Sequence, residues 1–267
     1  MWFPYIITNG EVDLFSSGAL SERILDILRT SEIEFLDLTA SLAEEDGLNF
    51  KARDMLHVFA KPNSFLFLSE INLNDVRLYD ADLMHIHRLP RLGCLSLNNT
   101  GISNEGIFLL IPLKRCLVDL DIANNSLIDD DSISAILMLI KLQFIGLYGT
   151  AITMDGLRRI ASHLKQTRRT MEVDVPEDCE EYIRNHARTE LPQQYWLVPA
   201  SPLISDPTEA LRLSSQALEQ NLAAFAEFDQ ELLCDGSKTN MVKRLQDILE
   251  TRRNDLLVRE LVWQDIR

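Results

Sequence analysis

Three stretches of the chain read alike: LGCLSLNNTGISNEGIFLL (Leu92–Leu110), LVDLDIANNSLIDDDSISAIL (Leu117–Leu137) and LQFIGLYGTAITMDGLRRI (Leu142–Ile160). Each carries Leu or Ile at its first, fourth and sixth places. A small polar turn follows, then another Ile or Leu, then a helical pattern. The starts at 92, 117 and 142 lie 25 residues apart. Working outward, Leu68, Ile71 and Leu73 keep the frame 24 residues earlier, and Ile33, Leu36 and Leu38 keep it 35 residues before that. Val12 and Leu14 place one more start at residue 9. Met171 and Val173 give a weaker last copy with its frame starting near 168. The second unit therefore holds roughly ten extra residues, within Ser41 to Asp54.

A unit this short cannot bury its own apolar face, so units must stack. Residues at the first, fourth and sixth places point from a short strand into a shared core. The chain returns on a helix to begin the next strand. The returns are legible in Leu109, Leu110 and Leu113 after Glu105-Gly106, and in Leu157, Ile160, Ala161 and Leu164 after Asp155-Gly156. The chain resembles the leucine-rich repeat superfamily, in its ribonuclease-inhibitor-like form with helix-containing units. L-x-N-T-x-I-S-x-E-G-I (Leu97–Ile107) and L-x-G-T-x-I-T-x-D-G-L (Leu147–Leu157) are similar to repeats of F-box-associated members. The resemblance covers residues 9–188. It implies an α/β leucine-rich repeat solenoid, a horseshoe with a parallel concave sheet and convex helices. It also implies a recognition scaffold rather than an enzyme.

The expected organisation is a repeat domain over 1–188, a Pro-containing linker over 189–205 laid on the solenoid, and a helical hairpin over 206–267. Pro192, Pro199 and Pro202 interrupt the apolar run YWLVPASPLI (Tyr195–Ile204). Asp206-Pro207-Thr208-Glu209 reads as a helix start, with Asp as N-cap and Pro at the first helical position. Leu211, Leu218, Leu222, Phe225, Phe228 and Leu232 stripe one face, and a second helix carries Leu245 to Val262 beyond a turn at Asp235-Gly236-Ser237. Two helices alone leave apolar face uncovered, so this tail is expected to cap the solenoid, dimerise, or dock another subunit.

Composition narrows the function. The 267 residues hold 26 basic and 41 acidic side chains, a net charge of −15. That excess argues against direct nucleic-acid binding, which needs clustered Lys and Arg, and against anionic membranes. Four scattered cysteines without a CxxC pair suit a reducing compartment, and MWFPYIITNGEVDL lacks a signal peptide's basic start. An intracellular protein, nuclear or cytoplasmic, is expected.

No phosphate loop, nucleophile elbow or zinc-finger spacing is present. The pair His85 and His87 lacks companion ligands in its frame, and Asp129-Asp130-Asp131 precedes a helix, where carboxylates favour the dipole. Neither a catalytic residue nor a metal or cofactor site is expected. The strand frame is more informative, because side chains alternate and places three, five and seven share one face. Those places hold Glu11, Asp13, Phe15; Phe35, Asp37, Thr39; Glu70, Asn72, Asn74; Cys94, Ser96, Asn98; Asp119, Asp121, Ala123; Phe144, Gly146, Tyr148; and Thr170, Glu172, Asp174. Eight of these 21 residues are acidic and none is basic, where the overall acid content would place about three. Phe15, Phe35, Phe144 and Tyr148 offer aromatic anchors among the carboxylates. The expectation is a non-enzymatic interaction scaffold whose acidic face binds a basic protein segment. The alternatives are a ubiquitin-ligase substrate receptor, since ALSERILDIL (Ala19–Leu28) faintly resembles an F-box helix, and a regulator of the GTPase-activating class.

Overall fold

The leucine frame becomes a single buried row. Leu36, Ile71, Leu95, Leu120, Ile145 and Val173 stand opposite one another as strand partners, each exposed by 7% or less. They lie on the last six of eight short strands: β1 (Ile7–Thr8), β2 (Glu11–Asp13), β3 (Phe35–Asp37), β4 (Glu70–Asn72), β5 (Cys94–Ser96), β6 (Asp119–Asp121), β7 (Phe144–Gly146) and β8 (Glu172–Asp174). The strands lie in sequence order in one sheet. β1 pairs antiparallel with β2, and every later pairing is parallel. This computed structural model describes residues 7–8, 11–13, 22–42, 55–187, 195, 199–229 and 231–263. Most of the expected insertion, from residue 43 to 54, lies outside them.

Helical turns fill the connections. α1 (Glu22–Leu28) lies between β2 and β3, and α2 (Thr39–Leu42) follows β3. Then come 3₁₀ turns at His57–Ala60 and Asp80–His85, α3 (Asn104–Leu109), α4 (Ile133–Met138) and α5 (Met154–Thr167). The return at Asp80–His85 is therefore tighter than an α-helix; the Tyr79 N–H donates to Asp82 Oδ2 (2.9 Å) and the Asp82 N–H to the Tyr79 carbonyl (2.9 Å), which closes its first turn. The register also corrects the last repeat. Glu172 stands opposite Phe144, so this frame begins at residue 170 and not 168. A slip of two residues leaves every side chain on its own face, which is why Glu172 and Asp174 keep the expected side.

The polar part of the repeat joins each unit to the next. Asp80 accepts from the backbone N–H of Ser103 (2.8 Å) and from its hydroxyl (2.6 Å). Two units on, Asp130 accepts from the N–H (2.9 Å) and hydroxyl (2.6 Å) of Thr153. Ser103 and Thr153 are the N-caps of α3 and α5. Three residues after each cap stands a glycine, and the same carboxylate explains it. A Cβ on Gly106 would lie 2.7 Å from Asp80 Oδ1, and one on Gly156 would lie 2.2 Å from Asp130 Oδ1. Of the Asp129-Asp130-Asp131 run, Asp129 caps its own 3₁₀ turn as expected, while Asp130 is committed to the neighbouring unit.

Asn125, 1% exposed, does the same work inside the core. Its carbonyl oxygen accepts from the N–H of Thr100 (3.1 Å), the N–H of Gly101 (2.8 Å) and the Thr100 hydroxyl (3.2 Å). Its amide donates to the carbonyls of Leu97 (2.8 Å), Ile122 (3.0 Å) and Ala123 (3.0 Å).

The chain divides into two compact units, Met1–Glu177 and Asp178–Arg267. The second contains all but the first residue of α6 (Glu177–Ala187), then a 3₁₀ turn at Pro207–Arg212, α7 (Ser215–Phe225) and α8 (Lys238–Val262). Asp206 accepts from the Thr208 N–H as an N-cap, but the element it starts is 3₁₀ and ends at Arg212. Pro207 and Ala210, three residues apart, are its buried side, and Leu211 is left 65% exposed. α7 then starts afresh because the Ser214 hydroxyl accepts from the N–H of Ala217. α7 and α8 pack together on Leu218, Leu222, Phe225, Met241, Leu245 and Leu249, with Tyr195 in the same core. The buried Asp255 carboxylate accepts from the hydroxyls of Tyr182 (3.0 Å) and Tyr195 (2.6 Å). Of the expected linker, 189–194 and 196–198 lie outside the described residues. No described helix is long and apolar enough to cross a membrane.

Two measurements test these joints. Asn125→Ala leaves several buried backbone groups without partners and should cost ~2–4 kcal/mol in urea unfolding. A loss below ~0.5 kcal/mol would show that the network is replaceable. Gly156→Ala should cost ~1–3 kcal/mol by displacing Asp130, and most of that cost should disappear when Asp130 is already Ala. Additive losses in that double-mutant cycle would refute the steric account.

Candidate functional site

The face opposite the buried row carries the residues singled out in the sequence. The third-place row runs Glu11, Phe35, Glu70, Cys94, Asp119, Phe144, Glu172 across successive strands, and the fifth-place row runs Asp13, Asp37, Asn72, Ser96, Asp121, Gly146, Asp174. Neighbouring positions in a row are one strand spacing apart, about 4.8 Å. Glu70, Glu172 and Asp174 are exposed, and Phe35, Asp37, Asn72, Cys94, Ser96, Asp119, Asp121 and Phe144 are half-buried. At the seventh place Thr39, Asn74 and Asn98 are half-buried, Ala123 is buried and Tyr148 is 45% exposed. Thr170 is exposed beside β8. Glu11 and Asp13 are placed by their backbone in β2, while Phe15 lies outside the described residues.

The two rows differ in chemistry. Several fifth-place side chains turn back onto the chain as it leaves the strand. Asp37 accepts from the Thr39 N–H (2.9 Å), Asn72 from the Asn74 N–H (3.0 Å) and Asp121 from the Ala123 N–H (3.0 Å). These are Asx turns, and they explain why Asp or Asn recurs at that place. Asn72 also donates to the second oxygen of Asp37 (3.1 Å). Beside the seventh place, the Asn98 N–H donates to Asn74 Oδ1 (2.9 Å) and the Asn124 amide donates to Asn98 Oδ1 (3.0 Å). The sequence pattern read Asp37, Asn72, Asn74, Asn98 and Asp121 as ligand-facing and missed these turn and joint roles. The signal was an acceptor two residues ahead of the strand-ending turn in three units. The eighth place is likewise structural: Asp75 (φ 60°), Asn99 (φ 52°), Asn124 (φ 56°) and Gly149 (φ 68°) all take the left-handed conformation. At Gly149 a Cβ would also meet Asn124 Oδ1 at 2.5 Å. Gly146 is covered by Asp121, whose Oδ1 would lie 2.6 Å from a Cβ placed there.

The third-place row differs in its electrostatics. Burial, first, and then the charges of Asp121 and Glu172 push the Asp119 carboxyl above the usual range. Burial and the nearby Asp119 and Glu70 likewise push the Cys94 thiol up, so it stays protonated and a weak nucleophile. Phe144 stands between Asp119 and Glu172 in the row. The face can therefore offer carboxylates to cations on either side of an aromatic ring. Among the described residues no group of three His, Cys, Asp or Glu is arranged to hold a metal ion. His85 ends its 3₁₀ turn and His87 follows it. No protein-family model matches the chain, and no curated protein matches it.

Because the folded state raises the Asp119 pKa, ionising this group opposes folding. Its contribution to stability is present below the carboxyl range and is lost as pH rises through its folded pKa. Asp119→Asn should therefore stabilise the protein at neutral pH by a few tenths of a kcal/mol (~0.3–0.8 after solvent screening). The gain should vanish in acid, where the wild-type carboxyl is already neutral. Thermal melts at neutral and acid pH check this; an equal effect at both would assign the change to packing.

Proposed function

We propose that Met1–Glu177 is a leucine-rich repeat solenoid acting as a non-enzymatic recognition scaffold, with its sheet as the concave face that holds a basic protein segment. The observation that carries this reading is the third-place row. Glu70, Asp119 and Glu172 are aligned by register without an intervening cation, and Phe144 stands between two of them. Like charges two strand spacings apart repel, and a bound Lys or Arg relieves that repulsion. Phe144 and the exposed Tyr148 add cation–π or apolar anchors, worth ~0.5–2 kcal/mol each. Association would be fast and salt-sensitive, since exposed charges are screened over about 8 Å at physiological ionic strength. The analogy to nuclear acidic repeat proteins that hold histones is one of charge alone. α1 lies between two paired strands, where a return helix belongs, and this favours the scaffold over an F-box receptor.

The test uses only carboxylates with no turn role. Asp121 is left intact, because reversing it would remove the bond to Ala123, and Asp130 is unsuitable as a control, because reversing it would break the joint to Thr153. Asp119→Lys with Glu172→Lys should weaken binding of a fluorescein-labelled peptide of alternating Arg and Ala by at least about tenfold, or ~1.4 kcal/mol. Glu105→Lys with Asp131→Lys, exposed at helix starts, should change it less than about threefold. Equal losses would reduce the acidity to a solubilising surface. The same pair of reversals should abolish capture of the partner from cell extract.

A further inference from the structure

The same sheet has a second charged border, at the ends where the strands begin. The four connections entering β5 to β8 each finish in cations: Arg88 and Arg91, Lys114 and Arg115, Lys141, then Arg168 and Arg169. The ladder already aligns these ends. The N–H of Gly93 donates to Ser69 (2.8 Å), that of Val118 to Gly93 (2.7 Å), that of Gln143 to Val118 (2.7 Å) and that of Glu172 to Gln143 (2.7 Å). Arg91, Arg115, Lys141 and Arg168 therefore sit two to four residues ahead of a hydrogen-bonded register, just before neighbouring strands. All four are exposed, as is Arg88.

What marks these cations is that they share one border and lack carboxylate partners. Other cations of this unit do pair with carboxylates: Lys61 with Asp26 (2.8 Å), Arg29 with Asp26 (2.9 Å) and Arg158 with Asp155 (2.6 Å). Among the described residues, none of Arg88, Arg91, Lys114, Arg115, Lys141 or Arg168 has a carboxylate partner. This is in a chain with 41 acidic residues against 26 basic. Arg169 is spent, on the carbonyls of Leu139 (3.0 Å) and Leu142 (3.3 Å). The helix dipole accounts for Arg168, at the C-cap of α5, and Lys114 ends the short 3₁₀ turn Ile111–Leu113. Such ends do not account for Arg91, six residues past the turn ending at His85, or for Lys141, three past α4. Arg91 lies instead over the ring of Phe67 at 5.0 Å, which holds its guanidinium in place.

We infer that this border is a second interaction surface, one that takes an acidic protein segment. The chemistry favours such a segment over nucleic acid or an anionic membrane. Glu70, Asp119 and Glu172 lie about three residues further along the strands, roughly 10 Å away. A continuous polyanion laid on the cations would bring its phosphates within reach of those carboxylates. A peptide bearing separate carboxylates can set them on the cations and stop short of the acidic face. The inference concerns a surface distinct from the proposed acidic site and stands or falls separately.

The experiment uses the full chain and a fluorescein-labelled peptide of alternating Glu and Ala, followed by anisotropy. Arg91→Gln, Arg115→Gln and Lys141→Gln together should weaken binding at least about tenfold and flatten its salt dependence. Arg23→Gln with Arg77→Gln, exposed cations of the same unit away from these strand starts, should change it less than about twofold. Should the triple variant melt early, Arg115→Gln with Lys141→Gln keeps the Arg91–Phe67 contact and should still show the loss. Reversing Asp119 and Glu172 should leave the acidic peptide bound at least as tightly, which separates failure of this inference from failure of the acidic-face reading. Three results would each overturn it: no binding by the wild type, equal losses in the border and control variants, or tighter binding of a single-stranded oligonucleotide or phosphatidylserine vesicle than of the peptide.

Discussion

A strand of three residues offers one inward side chain, and one side chain makes no core. Everything else in the first unit follows from that shortage. Leu36, Ile71, Leu95, Leu120, Ile145 and Val173 are buried because each has a neighbour on the next strand. Stacking then creates a second demand, since the turns that leave the strands bring backbone donors and acceptors into the interior. Asn125 meets it in the middle of the sheet, spanning Leu97–Gly101 of one unit and Ile122–Ala123 of its own. Asp80 and Asp130 meet it at the helix starts. The apolar row supplies most of the driving force, and the polar joints fix which unit sits on which.

That division of labour decides which charges remain for a partner. A carboxylate that caps a turn is partly neutralised by the N–H groups it accepts from and cannot be removed without loss of stability. Asp37, Asp121 and Asp130 are of this kind. Glu70, Asp119 and Glu172 hold the one place in the frame that the turn does not use. Asp119 sits where charge is costly, as its raised pKa records. A place that could carry Ser or Thr, yet carries acid in three units, breaks the local rule that the rest of the sheet obeys. Such breaks concentrate where a protein serves binding instead of its own stability.

The repeat frame was legible in the sequence because burial recurs with the period of the units and alternation along a strand is strict. The face assignment survived even in the last unit, where the frame is slipped by two residues, because a two-residue slip preserves the alternation. Less legible were effects that act across units. Nothing local to Asp130 marks it as the partner of Thr153, and Gly156 reads as a helix start until a carboxylate is seen filling its Cβ position. The recurrence of Ser or Thr followed three residues later by Gly carried that information. The tail shows a different limit. Pro207 after Asp206 signals the start of a helical turn equally well for 3₁₀ and α, and the choice was made by Ser214, a second cap seven residues past Pro207.

Charge segregation is the consequence of this architecture that reaches furthest. Parallel strands in sequence order put every strand start along one border and every strand end along the other, so a bias repeated at one place in each unit adds up instead of cancelling. Cations repeated before the strand give one positive border, and carboxylates repeated at the third place give a negative band about three residues further along. A chain of net charge −15 thus presents both signs in adjacent stripes whose spacing is set by the backbone. Net charge alone would describe such a molecule as a generic acidic protein. The register instead defines a surface with a direction, and a partner that matched both stripes would be held in one orientation along the strands.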